Sequence, residues 1–402
     1  MASRIKNMTE GNPLSLIFTF ALPLMIGNVF QQLYTVIDTM VVGKALGVGA
    51  LAALGAADWM NWMMLGIVQG LTQGFGILMA QKFGAGMQED LRKVIGNSVV
   101  LSLISSLILL LSGQLLARPV LGLLQTPPEI MDNALLYLRI MYLGIPVVMT
   151  YNLLACILRS LGDSQTPLHA MIVAAIVNIV LDLLFVLGFG LGIGGAAAAT
   201  LIAQLISSLY CLHYIRKIDI LTFIPADFCL QNGLPARLFV LGFPMAFQNA
   251  IISIGGMIVQ FVVNGFGVLF IAGFTATNKL YGMLEVAATS YGYAMVTYVG
   301  QNLGAGRMER IRKGMRTSLL ISLITSVVIA LFMLLAGKAI LGCFISGTPQ
   351  EFEQTLQIAY FYLAIMSICL PILYILHVTR SAIQGMGNTV LPMVSGIAEF
   401  IM

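Results

Sequence analysis

Five acidic residues lie inside long apolar stretches of this sequence: Asp38, Asp58, Asp182, Glu285 and Glu399. An ionised carboxylate in the apolar interior of a membrane is costly unless a cation, a proton or water stabilises it. These positions are therefore candidates for binding an ion or a proton. The alternative interpretation is that each acid only makes a hydrogen bond between helices.

Two of these acids have a polar partner four residues earlier in the chain. Tyr34 precedes Asp38 and Asn178 precedes Asp182, so each pair shares one face of a helix. A carboxylate with a neighbouring hydroxyl or amide oxygen suits a proton or a desolvated Na⁺. We predict that Asp38 and Asp182 bind H⁺ or Na⁺. No other metal and no cofactor is expected.

The remaining acids suggest weaker hypotheses. Asp58 lies beside Trp59 and Trp62, and such a group can attract organic cations through charge and ring faces. Asp58 is equally well explained as a helix-end acid that reaches lipid headgroups. Glu285 is a candidate for a secondary cation or substrate site.

The elements that must position these side chains are transmembrane helices. The chain is 59% hydrophobic and only 9% charged, so lipid must solvate much of its surface. Its apolar runs are continuous rather than alternating, which favours helices over strands. We predict an all-α polytopic membrane protein with helices near 13–42, 50–81, 95–117, 129–158, 168–189, 194–215, 236–263, 268–301, 317–341, 354–379 and from 390 onward.

The positive charges predict the orientation of this bundle. With the N-terminus inside, only Lys44, Arg118 and Lys338 fall in outer loops, while Arg139 and Lys279 fall within helices. The other lysines and arginines all lie on the inner side, which is a strong positive-inside bias. We therefore expect a multi-pass protein of the inner (plasma) membrane with a cytoplasmic N-terminus.

The two halves of the sequence repeat each other. The segment 21–28 resembles 242–249, and 81–86 resembles 301–306 at nearly the same offset. Each half should hold six helices, so both halves start on the same side. This predicts two lobes related by a pseudo-twofold axis along the membrane normal. The cavity between them is predicted to have substrate contacts at Asn28, Gln31, Trp62 and Asn249.

The repeat also predicts the domain boundaries. We expect an N-lobe over 1–215 with helices 1 to 6, a cytoplasmic linker over 216–235, and a C-lobe over 236–402. By comparison with the first half, the C-lobe is expected to be truncated in this chain. Its last helix, the eleventh, would be incomplete at Met402, and the twelfth would be absent.

These motifs together resemble the multidrug and toxic compound extrusion (MATE) family over essentially the whole chain. The resemblance is carried by 38–43, by the paired Gln-x-x-Gly-Ala-Gly motifs at 81–86 and 301–306 (with Asn-Leu as the intervening pair in the second), and by 159–167 and 384–392. It implies two lobes that form a V and open alternately to either side. It also implies export of small amphipathic, often cationic compounds in exchange for Na⁺ or H⁺ by a bacterial protein.

Five residues of this chain resemble the N-lobe cation site of the DinF-type branch of that family: Tyr34, Asp38, Asn178, Asp182 and Thr200. Other branches place the site in the C-lobe, on acids of helices 7, 8 and 10. The predicted helices 7 and 10 carry no acid in this chain, which favours coupling in the N-lobe.

Other function classes fit the sequence less well. There is no phosphate-loop motif of an ATP-driven pump and no protease-type metal motif, so the chain is expected not to be an enzyme. A lipid-linked precursor flippase of the same superfamily stays an alternative, although such proteins carry more cations in the cavity. Expected partners are small organic substrates and membrane lipid, with no nucleic acid, and the protein is expected to be a monomer.

Overall fold

The protein is described by a computed structural model that covers residues 4–230, 233–343, 345 and 349–401. The predicted lobes and linker also include 1–3, 231–232, 344, 346–348 and 402, which lie outside the described residues. The helices are α1 Pro13–Leu46, α2 Val48–Gly84, α3 Gln88–Leu123, α4 Pro128–Leu143, α5 Ile145–Ser160, α6 Gln165–Asp182, α7 Gly192–Ile215, α8 Leu234–Asn264, α9 Val268–Gly304, α10 Met308–Gly342, α11 Pro349–Gly385 and α12 Val390–Ile401. We call α1–α7 the first repeat and α8–α12 the second repeat.

The described helices confirm the prediction of an all-α membrane protein. Eight of them are long and apolar enough to span a membrane, and the bent pair α4–α5 makes up to one more span. α9 has 37 residues and matches these helices in length, but it is less apolar. The described residues contain no strand.

One predicted helix is divided in the structure. The single helix expected over 129–158 is instead α4 and α5, which meet at Gly144 with a bend of 48°. Pro146 lies in the first turn of α5, where its missing N–H costs nothing and its ring prevents α4 from continuing. The equivalent Pro371 lies inside the continuous α11, so this break is specific to the first repeat.

The two repeats meet along α2 and α8, which run antiparallel and approach closely. A Cβ atom at Gly70 would overlap the backbone of Ala246, and one at Gly74 would overlap Gly242. Small residues allow such backbone contact, which is a common way for membrane helices to gain packing energy. The close contact of α2 with α8 therefore depends on glycine at both positions.

The predicted linker is docked rather than extended. Its 3₁₀ turn Pro225–Phe228 packs on α3, where Asn97 Nδ2 donates to the carbonyl of Asp227 at 3.3 Å. The Asp227 carboxylate accepts from the Ile224 N–H and pairs with Arg92 at 3.7 Å. The connection between the repeats is thus held against the first repeat by buried polar contacts.

Candidate functional site

The first repeat gathers five of the predicted site residues around one buried point, which we call the acid site. α1 supplies Tyr34 and Asp38, α6 supplies Asn178 and Asp182, and α7 supplies Thr200. α6 packs against both α1 and α7, which places the three helices side by side. Asn178 Nδ2 donates to Thr200 Oγ1 at 3.4 Å.

The acids of this site are almost completely removed from solvent and lipid. Asp182 is 0% exposed, and Asp38 is 9% exposed. The two carboxyl groups lie near enough to each other to interact electrostatically. Asp182 is also the last residue of α6 before the π-helical turn Leu183–Gly188. Such wide turns occur frequently at functional sites.

Several oxygens of the acid site lack a hydrogen-bond partner among the described residues. They are Oδ1 of Asp38, Oδ1 of Asn178 and both carboxylate oxygens of Asp182. Buried polar atoms are otherwise nearly always paired, since leaving one unpaired costs about 1–3 kcal/mol. An oxygen-only donor set that includes carboxylates fits a proton or a hard cation such as Na⁺.

A small cavity adjoins the acid site within the first repeat. Tyr34, Asn178 and Thr200 line it, and so do Tyr151 and Gln204, which sequence reasoning did not identify. The Oε1 atom of Gln204 is buried and has no hydrogen-bond partner among the residues that the structure describes. A polar glutamine within the apolar α7 could have indicated this position. The sequence alone does not show that its side chain faces α6, because that depends on how the helices pack.

The predicted substrate contacts lie in different environments. Asn28 donates to Ser290 Oγ at 3.3 Å, and Asn249 donates to the carbonyl of Gly66 at 2.9 Å, so both join the two repeats. Gln31 lines the cavity of the first repeat. Trp62 is 61% exposed. Their role in substrate binding stays a prediction.

Asp58 lies in the third turn of α2, and its side chain is exposed. The exposed Lys279 of α9 is near enough to interact with it electrostatically. Its neighbour Trp59 packs on α8, where the ring would overlap a Cβ atom at Gly256. The group predicted to attract cations is therefore divided between an interface tryptophan, an exposed tryptophan and an exposed acid.

The two acids of the second repeat that lie in apolar stretches of sequence pair with basic side chains. Glu285 Oε1 lies 3.2 Å from His377 Nε2 of α11. Glu399 pairs with Arg380 of α11 at 2.7 Å. His377 was missed because a single histidine in an apolar helix gives no spacing signal. Glu285 thus has a partner of its own, unlike the oxygens of Asp182.

The repeats are closed against each other at the face of the bundle where α1 begins, which we call the N-terminal face. α2 and α9 run parallel, and their last turns meet reciprocally. A Cβ atom at Gly84 would overlap the Gln301 carbonyl, and one at Gly304 would overlap the Gln81 carbonyl. We call this contact the seal. Its symmetry confirms that the two repeats have the same orientation.

The residues before α1 reinforce the seal. Met8 is 0% exposed, and its N–H donates to Gln301 Oε1 at 2.8 Å. The Met8 carbonyl accepts from Asn302 at 3.1 Å and from Arg310 at 3.3 Å. The chain also passes so close to Gly162 that a Cβ atom there would overlap the Lys6 carbonyl. The segment 6–11 thus bridges the two repeats.

A helical membrane bundle with two like-oriented repeats, a buried oxygen-lined site and a seal at one face defines a membrane transporter. The MatE family model matches residues 23–184 and again residues 244–402. These matches cover most of the chain, and they divide it into the two repeats. The chain belongs to the MATE family of transporters.

Known relatives and solved structures agree with this assignment. "Probable multidrug resistance protein YpnP" of Bacillus subtilis is 30% identical over 76% of this chain and 68% of the relative. "FAD transporter" of Shewanella oneidensis is 23% identical over 84% of this chain and 75% of the relative. The solved structure "Outward-facing conformation of a multidrug resistance MATE family transporter of the MOP superfamily" is 22% identical, with a TM-score of 0.88 over 99% of this chain and 88% of that one.

Proposed function

We propose that this protein is an antiporter that uses H⁺ or Na⁺ to export small amphipathic, often cationic organic compounds by alternating access. One observation carries the proposal: Asp38 and Asp182 are buried side by side with carboxylate oxygens that no described residue satisfies. A site of this kind gains a large free energy when it takes a cation. The names of relatives such as YpnP support multidrug compounds as the substrate class.

The coupling mechanism follows from differential affinity. A cation can drive export only if the inward-open and outward-open states bind it with different strength. α1 carries Asp38 and also packs against α9 of the second repeat. Occupation of the acid site would therefore change how α1 packs between the repeats, and through this the stability of the seal. We also propose that the five residues of the acid site correspond to the cation site of the DinF-type branch.

The orientation and organisation are also proposed. We place the seal and the N-terminus in the cytoplasm of a bacterial cell, with the protein as a monomer in the inner membrane. Residues 1–215 would form the N-lobe, 216–235 the linker and 236–402 the C-lobe. The state described here would then be closed to the cytoplasm.

Transport in proteoliposomes tests the function and the ion directly. The protein should accumulate a cationic dye against its gradient when a Na⁺ or proton gradient is imposed, and the response to each gradient applied separately identifies the ion. Dye movement that is independent of both gradients would contradict coupling. Flipping of a labelled lipid-linked phosphate without dye transport would instead favour the flippase alternative.

Alternating access can be tested by locking the seal. A Cβ atom at Gly300 would lie 2.9 Å from Ala80 Cβ, so cysteines at both positions can form a disulfide after a small backbone adjustment. In a background with the five native cysteines replaced, oxidation of the Ala80→Cys/Gly300→Cys pair should stop dye export, and a reductant should restore it. Each single-cysteine variant is the control. Full export by completely cross-linked protein would refute movement at this face.

A further inference from the structure

Arg159 has an unusual direction for an arginine at a helix end. It lies in the last turn of α5, near the N-terminal face. An arginine at the end of a membrane helix ordinarily extends its guanidinium to the lipid headgroups. Here the guanidinium instead lies over the ring of Tyr293 in α9, 4.7 Å from the ring centroid. The charge therefore points across to the other repeat.

No carboxylate compensates this charge within the part of the chain that the structure describes. Two other arginines near the same face have acidic partners, since Arg92 pairs with Asp227 and Arg307 pairs with Glu10. The acid closest to Arg159 in sequence is Asp163, but its carboxylate accepts hydrogen bonds from the Gln165 and Thr166 N–H groups. Arg159 is half-buried and keeps guanidinium donors available.

Arg159 lines a small, partly open cavity between the repeats. Gln73 Nε2 donates to the Tyr293 hydroxyl at 2.9 Å, and Thr297 adds a further hydroxyl to the wall. The adjoining Ser160 carbonyl accepts from Gln301 Nε2 at 2.8 Å, which places the cavity directly against the seal. The wall thus combines one net positive charge with neutral polar groups and an aromatic face.

We propose that Arg159 forms an anion subsite, which takes a carboxylate or phosphate group of an amphipathic molecule in the space between the repeats. A guanidinium suits such groups because it can donate two parallel hydrogen bonds. In surroundings of low dielectric constant, an anion would offset the cost of the unpaired charge. The subsite deepens the proposed function and rests on it: the transporter would accept anionic or zwitterionic substrates as well as cationic ones.

Dye binding to the purified full chain in nanodiscs tests the subsite without requiring transport. We expect Arg159→Gln to weaken binding of the anionic dye fluorescein about tenfold or more, the loss typical of a charge-assisted hydrogen bond, while the cationic dye ethidium binds within about twofold of wild type. The affinity of Arg159→Lys for fluorescein should lie between the affinities of wild type and Arg159→Gln. The matched control is Arg139→Gln, because Arg139 is exposed on α4, which packs on α2, α3 and α7.

The source of the anion is distinguished by lipid composition. If a lipid headgroup phosphate occupies the subsite, phosphatidylglycerol added to phosphatidylcholine nanodiscs should compete with fluorescein in wild type but not in Arg159→Gln. If the subsite serves free organic anions, the lipid should have no effect. Either result supports an anion subsite, provided that Arg159→Gln selectively weakens fluorescein binding.

Two outcomes would overturn the proposal: unchanged fluorescein binding by Arg159→Gln, or equal loss of both dyes. Equal loss would assign Arg159 to packing of the seal. Gradient-driven ethidium export, measured on the same variants, separates this result from failure of the proposed function. Export that continues in Arg159→Gln with unchanged fluorescein binding refutes the subsite alone, whereas wild-type protein that exports nothing refutes the transporter mechanism.

Discussion

Adding one methyl group at Gly304 is expected to lower dye export about tenfold or more by holding the N-terminal face open. A Cβ atom there would overlap the Gln81 carbonyl and would lie 3.0 Å from the Ala85 amide nitrogen. These contacts are backbone atoms, so no side-chain rotation can relieve the overlap. Overpacking of this kind costs about 1–3 kcal/mol. That cost falls only on the sealed state, so it shifts the equilibrium by about five- to a hundred-and-fiftyfold.

Cys156 provides a native reporter for the opening. Its thiol is 5% exposed and lines the cavity behind the seal. With the other four cysteines replaced by alanine, a membrane-impermeant maleimide added at the N-terminal face should react slowly with wild-type protein and faster with Gly304→Ala. The effect on labelling should be largest in the absence of a gradient, when nothing else drives the seal to open.

Gly55→Ala is the matched control for Gly304→Ala. Gly55 lies in α2, and a Cβ atom at that position meets nothing within 4 Å. This variant should therefore keep wild-type export and wild-type labelling of Cys156. If Gly304→Ala shows normal export and unchanged labelling of Cys156, the seal tolerates separation of the two backbones at Gly304. The seal would then not be what holds the face closed.

The repeat and the seal could be predicted in part from the sequence. The Gln-x-x-Gly-Ala-Gly motifs recur at nearly one offset, which predicted two like-oriented halves. The contact of Gly84 with Gln301, and its reciprocal, then follows from the pseudo-twofold axis. The sequence could not predict that the segment around Met8 crosses this contact, because a short polar terminus has no periodicity from which its path can be read.

The acid site could be predicted from the sequence, whereas its charged surroundings could not. The spacing of four residues identified which faces of α1 and α6 carry Asp38 and Asp182, since helical geometry determines it locally. The partners of other charged groups depend on which helix faces meet in three dimensions. For this reason neither the pairing of Glu285 with His377 nor the position of Arg159 over Tyr293 could be predicted from the sequence.

Neutralising Asp182 is expected to abolish gradient-driven export while leaving the protein folded in the membrane. Both carboxylate oxygens of Asp182 are buried without a partner in the described residues, and Asp38 lies beside them. Two ionised carboxylates so close together repel each other strongly, and a cation or a proton removes this repulsion. Asp182→Asn removes the charge that a coupling cation would recognise, with little change in volume.

The variant should lose coupling before it loses substrate binding. The amide resembles a protonated acid, so Asp182→Asn should behave as though the coupling ion were permanently bound. Dye binding and passive dye exchange across proteoliposomes should then survive, while accumulation against a gradient falls by about tenfold or more. Asp38→Asn should give the same pattern, because the two acids share one site.

Two further substitutions make the result specific to the acid site. Asp132→Asn changes an exposed acid of α4 and should leave export unchanged. Glu285→Gln changes an acid that already pairs with His377, so its effect on coupling should be smaller than that of Asp182→Asn. If Asp38→Asn and Asp182→Asn both still accumulate dye at wild-type rates while Glu285→Gln does not, the coupling site lies in the second repeat, and the unpartnered oxygens of Asp182 have a purely structural role.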